Sequence, residues 1–233
     1  MSIKQTGLYC LLFNYIQTCL YLVKLYWLKQ EKIMARTKTN AREKILSVAD
    51  SLFYQQGIRA VGVDTIIAKS KVAKTTLYKY FSSKDDLVVA YLESRNQLFW
   101  KLLEERLKQY SDSPKRQLLE IFIWIDSLLD CDDNYGCPFL IVASEFPELD
   151  YPGHQVAIAH KQKMRSKIRN LIELEGIVKA EELSTALLML IDGAFAERRL
   201  FGREQNRMSL EKASTMMIDS YLNADYTLNP NHK

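Results

Sequence analysis

The chain reads as an all-α protein, and three observations carry that reading. Glycine and proline number only 8 and 5 among 233 residues, too few for a strand-and-turn architecture. Several long segments are rich in Leu, Ile, Ala, Glu, Lys and Arg, the residues that lose least on entering a helix. Within them the apolar positions recur every three or four residues, the spacing of one helix face. Hydrophobic residues make up 48% of the chain, enough for a substantial buried core.

The first orderly element begins at Asn40, which with Glu43 has the form of a capping box. Ile45, Leu46, Ala49, Leu52 and Phe53 follow at helical spacing, and Gly57 sits where a helix C-terminus favours glycine. Gly57 to Gly62 is the connector, and a second helix starts near Val63 or Asp64. Ile66, Ile67 and Val72 give it a buried side. A tight break at Lys71 to Ala73 leads into a short helix crowded with Lys74, Thr75, Thr76, Tyr78 and Lys79. These groups donate hydrogen bonds to phosphate oxygens or base edges. Two short helices joined by a turn, the second polar and basic, form the arrangement that lays a recognition helix in the major groove. Leu77, Tyr80 and Phe81 are expected to pack behind it.

Charge supports this end of the chain as the nucleic-acid face. The net charge of +4 is modest, but Arg36, Lys38, Arg42 and Lys44 lie just before the basic residues of the break.

The run Val72-Ala-Lys-Thr-Thr-Leu-Tyr-Lys-Tyr-Phe81, with Lys84-Asp-Asp-Leu87 after it, resembles the DNA-binding domain of tetracycline-repressor-like (TetR/AcrR) regulators. Lys74, Thr76, Leu77, Tyr78, Tyr80, Phe81, Ser83, Lys84 and Leu87 fall in register with that family's pattern. The turn departs from it, with Lys71 in place of the usual Gly and Ala73 in place of Ser. If the turn needs positive φ, a lysine there costs about 1 kcal/mol. The resemblance implies an N-terminal homeodomain-like helix-turn-helix domain and a C-terminal helical ligand-binding and dimerisation domain. The candidate DNA contacts in this chain are Lys71, Lys74, Thr75, Thr76, Tyr78, Lys79, Tyr80 and Lys84, and the resemblance implies that Lys84 touches the phosphate backbone.

Ser83 with Asp86 caps a long helix running from Lys84 toward Gln109, with Leu87, Tyr91, Leu98, Leu102 and Leu103 inward. Lys84 in its first turn opposes the helix dipole, a conflict that a bound phosphate would relieve. Ser111 to Pro114 breaks this helix, and Pro114 opens the next. Leu118, Leu119, Phe122, Ile123, Ile125, Leu128 and Leu129 make that next helix apolar nearly all round, hence central. After the polar turn Asp130 to Gly136, the segment Gly136 to Pro147 resembles one that lines the effector cavity in a subgroup of TetR-like regulators. Its candidate lining residues are Phe122, Trp124, Cys137, Phe139, Glu145, Phe146 and His154, with core filling as the competing reading for each. His154 and His160 are expected at a helix start and on the surface. His160 to Glu175 is a basic helix with an apolar stripe, closed by Gly176. Helices over residues 180–201 and 209–222 offer more apolar surface than one small bundle needs, and in the family such a pair forms the homodimer interface. Tyr226 onward is expected to fray.

These expectations divide the chain into an extension (1–33), a DNA-binding domain (34–83), an effector-binding and dimerisation domain (84–226) and a tail (227–233). The extension contains a nearly membrane-length apolar stretch, 8–28, interrupted by Asn14, Gln17 and Lys24. Membrane anchor, added helix and residues upstream of a true start at Met34 are its three readings, the last being favoured. Cys10, Cys19, Cys131 and Cys137 form no C-x-x-C pair and no zinc spacing, so they are expected as reduced thiols of a cytoplasmic protein. No metal site or cofactor is expected. No G-x-S-x-G, H-E-x-x-H, P-loop or dinucleotide fingerprint supports an enzyme, the alternative being a small helical hydrolase using Cys137. The resulting expectation is a homodimeric repressor, released from a palindromic double-stranded operator by a small-molecule effector. A membrane-anchored sensor is the other alternative.

Overall fold

The structure is a computed structural model that describes residues 40–203 and 208–228. The extension 1–33, the candidate span 8–28, Met34, Arg36 and Lys38 lie outside the described residues. So do residues 229–233 of the tail.

Every regular element among the described residues is helical. The first, α1 (Ala41–Gln56), opens on Asn40, whose side chain accepts from the Arg42 N–H. It closes on Gly57 at φ 91°. A side chain at Gly57 would be strained at that angle, and its Cβ would come within 2.6 Å of Glu145 Oε1. Next come α2 (Val63–Ser70) and α3 (Lys74–Tyr80), joined through Lys71. Lys71 adopts φ 55° and ψ 39°, making it the non-glycine residue with positive φ among those described. The turn that most departs from the family pattern is therefore also the strained one.

The long helix α4 (Lys84–Leu107) starts on Ser83, whose Oγ accepts from the Asp86 N–H at 3.0 Å. It runs into a 3₁₀ turn, Lys108–Tyr110. The body then consists of α5 (Pro114–Leu129), α6 (Pro138–Glu145), α7 (Pro152–Leu174), α8 (Ala180–Phe201) and α9 (Leu210–Leu228). Proline sits in the first turn of α5, α6 and α7, where its missing N–H costs no helical bond.

Two hydrophobic cores meet along α4. Its first turns supply Leu87, Val88, Tyr91 and Leu92 to a core that also holds Ile45, Phe53, Leu77 and Phe81 of the head. Cys137, Phe139 and Val142 of the α6 region and Ala157 of α7 complete that core. Farther along, Trp100, Leu103 and Leu107 join α5, α7, α8 and α9 in the second core. The head is therefore packed onto the body, with α6 as part of its floor.

Four expectations are corrected. The basic helix begins at Pro152 rather than His160, because proline's fixed φ suits a first helical position and its missing N–H costs no helical bond there. His160 is buried, 5% exposed. Its ring stacks on Phe139 at 3.7 Å, and Asn96 satisfies Nδ1 at 2.8 Å. Tyr80 is 37% exposed rather than packed behind α3, leaving Leu77 and Phe81 to anchor that helix. The last helix continues to Leu228, past the position where fraying was expected.

Candidate nucleic-acid interface

α3 is only seven residues long, too short to hold its shape alone, and packing fixes it. Leu77 is fully buried. Around it Lys74, Thr75, Tyr78, Lys79 and Tyr80 are exposed and Thr76 is half-buried. Lys71 is exposed at the preceding turn, and Lys84 is half-buried just beyond. The eight predicted contact positions thus lie on α3, at the turn before it and at the first residue of α4.

Lys74 pairs with Asp64 of α2 at 3.3 Å, with both side chains largely exposed. Such a pair contributes little stability and leaves the ammonium available to a phosphate. Lys84 titrates below the usual lysine range because it is partly buried; the Glu145 and Asp85 carboxylates oppose that shift. A partly desolvated ammonium at the head–body seam interacts more strongly with an anion than a freely hydrated one.

The head's orientation is set by side chains that the local pattern did not reveal. Asp50 of α1 and Arg95 of α4 form a bidentate pair at 2.6 and 2.8 Å. The Arg95 guanidinium lies 3.9 Å over the Tyr54 ring. Tyr54 Oη donates to the Gly136 carbonyl at 3.0 Å and accepts from the Tyr135 N–H at 3.2 Å. The Glu145 carboxylate, at the end of α6, accepts from the Ile58 N–H at 3.2 Å and the Arg59 N–H at 2.6 Å. Phe146 stacks on Tyr151 at 4.2 Å, with the Arg59 guanidinium 4.8 Å from its ring. Tyr151 Oη donates to Asp85 at 2.9 Å. One signal was present in the sequence: Asp50 adjoins the apolar positions of α1, and a charge there needs a partner.

The seven candidate cavity residues fall into three groups. Phe122 is fully buried in the body core. Trp124 and Phe139 approach one another through Phe99 and His160, with Phe99 4.9 Å from Trp124 and 5.0 Å from His160. Cys137, Glu145, Phe146 and His154 lie instead toward the head, where the His154 Nδ1–H donates to the Phe146 carbonyl at 2.8 Å. A groove of about 370 Å³ lies between α4 and α7, along Asn96, Trp100, Glu104 and Lys163. None of the seven lines it. Lys163 Nζ sits 4.1 Å over the Trp100 ring. No grouping of His, Cys, Asp and Glu among the described residues could hold a metal ion.

A basic, hydroxyl-rich helix presented by a rigid helical head defines a helix-turn-helix DNA-binding regulator. Residues 45–91 match the family described as bacterial regulatory proteins, tetR family. A transcriptional regulator encoded in the lacX 3' region of Lactococcus lactis is 27% identical over 149 residues, 63% of this chain and 76% of that protein. The Escherichia coli transcriptional repressor NemR is 27% identical over 86 residues, 37% of this chain and 43% of its own. A TetR-family regulator from Streptomyces coelicolor superposes with a TM-score of 0.73 at 29% identity, covering 84% of this chain and 94% of the other. Residues 45–91 are thus a DNA-binding domain of the tetR family, and the chain as a whole is similar to TetR-family transcriptional regulators. Its relatives are regulators rather than enzymes. Among the described residues no helix is long and apolar enough to cross a membrane.

Proposed function

We propose that the protein is a homodimeric repressor that occupies a palindromic operator and is released by a small molecule bound in its helical body. The observation that carries this reading is the outer face of α8. Met189, Gly193, Ala196 and Leu200 recur on one stripe of that helix and all are exposed. Met189 and Leu200 are 69% and 75% exposed, and Met216 of the neighbouring α9 is 58% exposed. Nothing lies within 4 Å of a Cβ built at Gly193, so a partner helix has room to approach closely. Such a stripe marks a protein–protein interface, and a two-fold mate supplies the second reading head that useful operator specificity requires.

Within each head, Lys71, Lys74 and Lys84 would meet phosphates while Thr75, Thr76, Tyr78, Lys79 and Tyr80 reach toward base edges. The effector would sit in the helical body, near the aromatic cluster of Trp124, Phe99, His160 and Phe139. It acts only by binding the released state more tightly than the operator-bound one. NemR is named a repressor and a Mycolicibacterium smegmatis relative, FasR, an activator, so the sign of regulation is read from a reporter fused to the operator.

Selection from random duplex DNA with the purified protein tests the reading. A two-fold-symmetric sequence is expected, together with a dimer in sedimentation equilibrium that Gly193→Glu converts to monomer. Recovery of an asymmetric site, or an unchanged dimer in that variant, would refute it.

A further inference from the structure

The turn between α5 and α6 is gripped from both sides, and one of those sides is the head. Three arginines near the end of α8 hold it. Arg198 donates to the Leu129 carbonyl at 2.8 Å and the Cys131 carbonyl at 3.0 Å, satisfying acceptors that the end of α5 leaves open. Arg199 donates to the Tyr135 carbonyl at 2.7 Å, and Arg203 pairs with Asp132. Within the turn, Asn134 bridges the Leu128 carbonyl and the Gly136 N–H, each at 2.8 Å, so the segment is braced internally. On its far side Tyr54 of α1 takes both the Tyr135 N–H and the Gly136 carbonyl. The two tyrosine rings meet edge to face at 5.4 Å.

Tyr135 is therefore held by α8 through its carbonyl and by α1 through its N–H. Arg198 alone would suffice as a cap for α5. Arg199 does something else: it fixes the peptide next to the one that Tyr54 reads. The apolar stripe of α8 ends at Leu200, adjacent to Arg199 in the chain. The contacts at Tyr135 and Gly136 thus join the end of α8 to α1.

We propose that Arg199 and Tyr54 are positioning residues for operator binding, joined through Tyr135 and Gly136, and that this link sets the angle of each reading head relative to the dimer helix. The inference rests on the homodimer reading above. Neither residue lies on α3 or its flanking turns. Their loss should spare the chemistry of α3 and weaken only the fixed geometry of two heads on one site.

The test uses the full chain, the symmetric duplex selected by the wild type, and a random-sequence duplex at the same salt. Tyr54→Phe keeps the ring contacts and removes the hydroxyl; Arg199→Ala releases the Tyr135 carbonyl. Each is expected to weaken binding to the symmetric duplex about tenfold, the scale of one lost charged or shared hydrogen bond. Binding to the random duplex should stay within about twofold, and the double variant should be about as weak as the weaker single, since both cut one link. Arg199→Lys should restore affinity, and reselection with Tyr54→Phe should return a broadened half-site spacing. Losses that multiply in the double variant, or an equal loss on random DNA, would overturn the proposal. So would wild-type affinity in a folded Tyr54→Phe. If the wild type selects no symmetric sequence, the dimer reading falls and this link with it. If it does and the variants match it, only the link falls.

Discussion

Replacing Lys71 by glycine should separate the stability of the head from its grip on DNA. Lys71 closes α2 in the left-handed region, at φ 55° and ψ 39°. For an L side chain that conformation costs about 1–2 kcal/mol. Glycine adopts it without strain but makes the unfolded chain more flexible, which offsets about 0.4–1 kcal/mol of the gain. The side chain is exposed, so no packing is lost. The net expectation for Lys71→Gly is about 0.5–1 kcal/mol of stabilisation, a rise in Tm of roughly 1–4 °C for a domain of this size. Lys71→Ala keeps the Cβ and should gain nothing. If Lys71 meets a phosphate, both substitutions should weaken all duplex sequences alike and lower the slope of log K against log salt by about 0.9 per head. Thermal melts and salt titrations of the three proteins provide the assay. A glycine variant melting no higher than the alanine variant would refute the strain argument. An unchanged salt slope in both would remove Lys71 from the interface.

Three other expectations concern the framework behind the head. Asp50→Ala should destabilise the protein by about 3–5 kcal/mol in chemical denaturation, because it strands a buried guanidinium. Asp50→Leu with Arg95→Met should cost well under the sum of the two single changes. Glu145→Ala should abolish hydrogen-exchange protection at the Ile58 and Arg59 amides, while Lys84→Ala should leave them protected. His160 is held down to about 3 by burial first and then by Lys161 and Lys163. Its folded value lies below its unfolded one, so the unfolded chain takes the proton first. Stability should be fully present above pH 6.5 and decline as pH falls toward 3, by up to about 1.4 kcal/mol per pH unit. His160→Gln should flatten that limb, and an unchanged acid limb would place the proton uptake elsewhere.

What was legible in the chain was whatever short-range chemistry decides. Asn40, Ser83 and Gly57 marked helix ends because capping groups act within a few residues of the backbone they satisfy. Leu77 and Phe81 were recognisable as anchors from spacing. The run from Lys74 to Leu87 is specific enough to indicate the family from the residues alone. Even the strain at Lys71 was visible, since a turn that favours glycine carried a lysine.

The rest depended on partners far away in sequence. Glu145 sits in a segment whose resemblance suggested a cavity wall, yet its carboxylate reaches amides 87 and 86 residues earlier. His160 looked like a polar residue on a basic helix, and only the approach of Phe139 and Asn96 made it part of the core. The link from Arg199 through Tyr135 to Tyr54 has no periodic signature, because its bonds run to main-chain atoms that every residue shares. Short-range chemistry in the chain therefore marked most of the helices, the reading head and the family resemblance. Tertiary packing decided how that head is held, since backbone acceptors and buried rings acquire their partners only when distant helices meet.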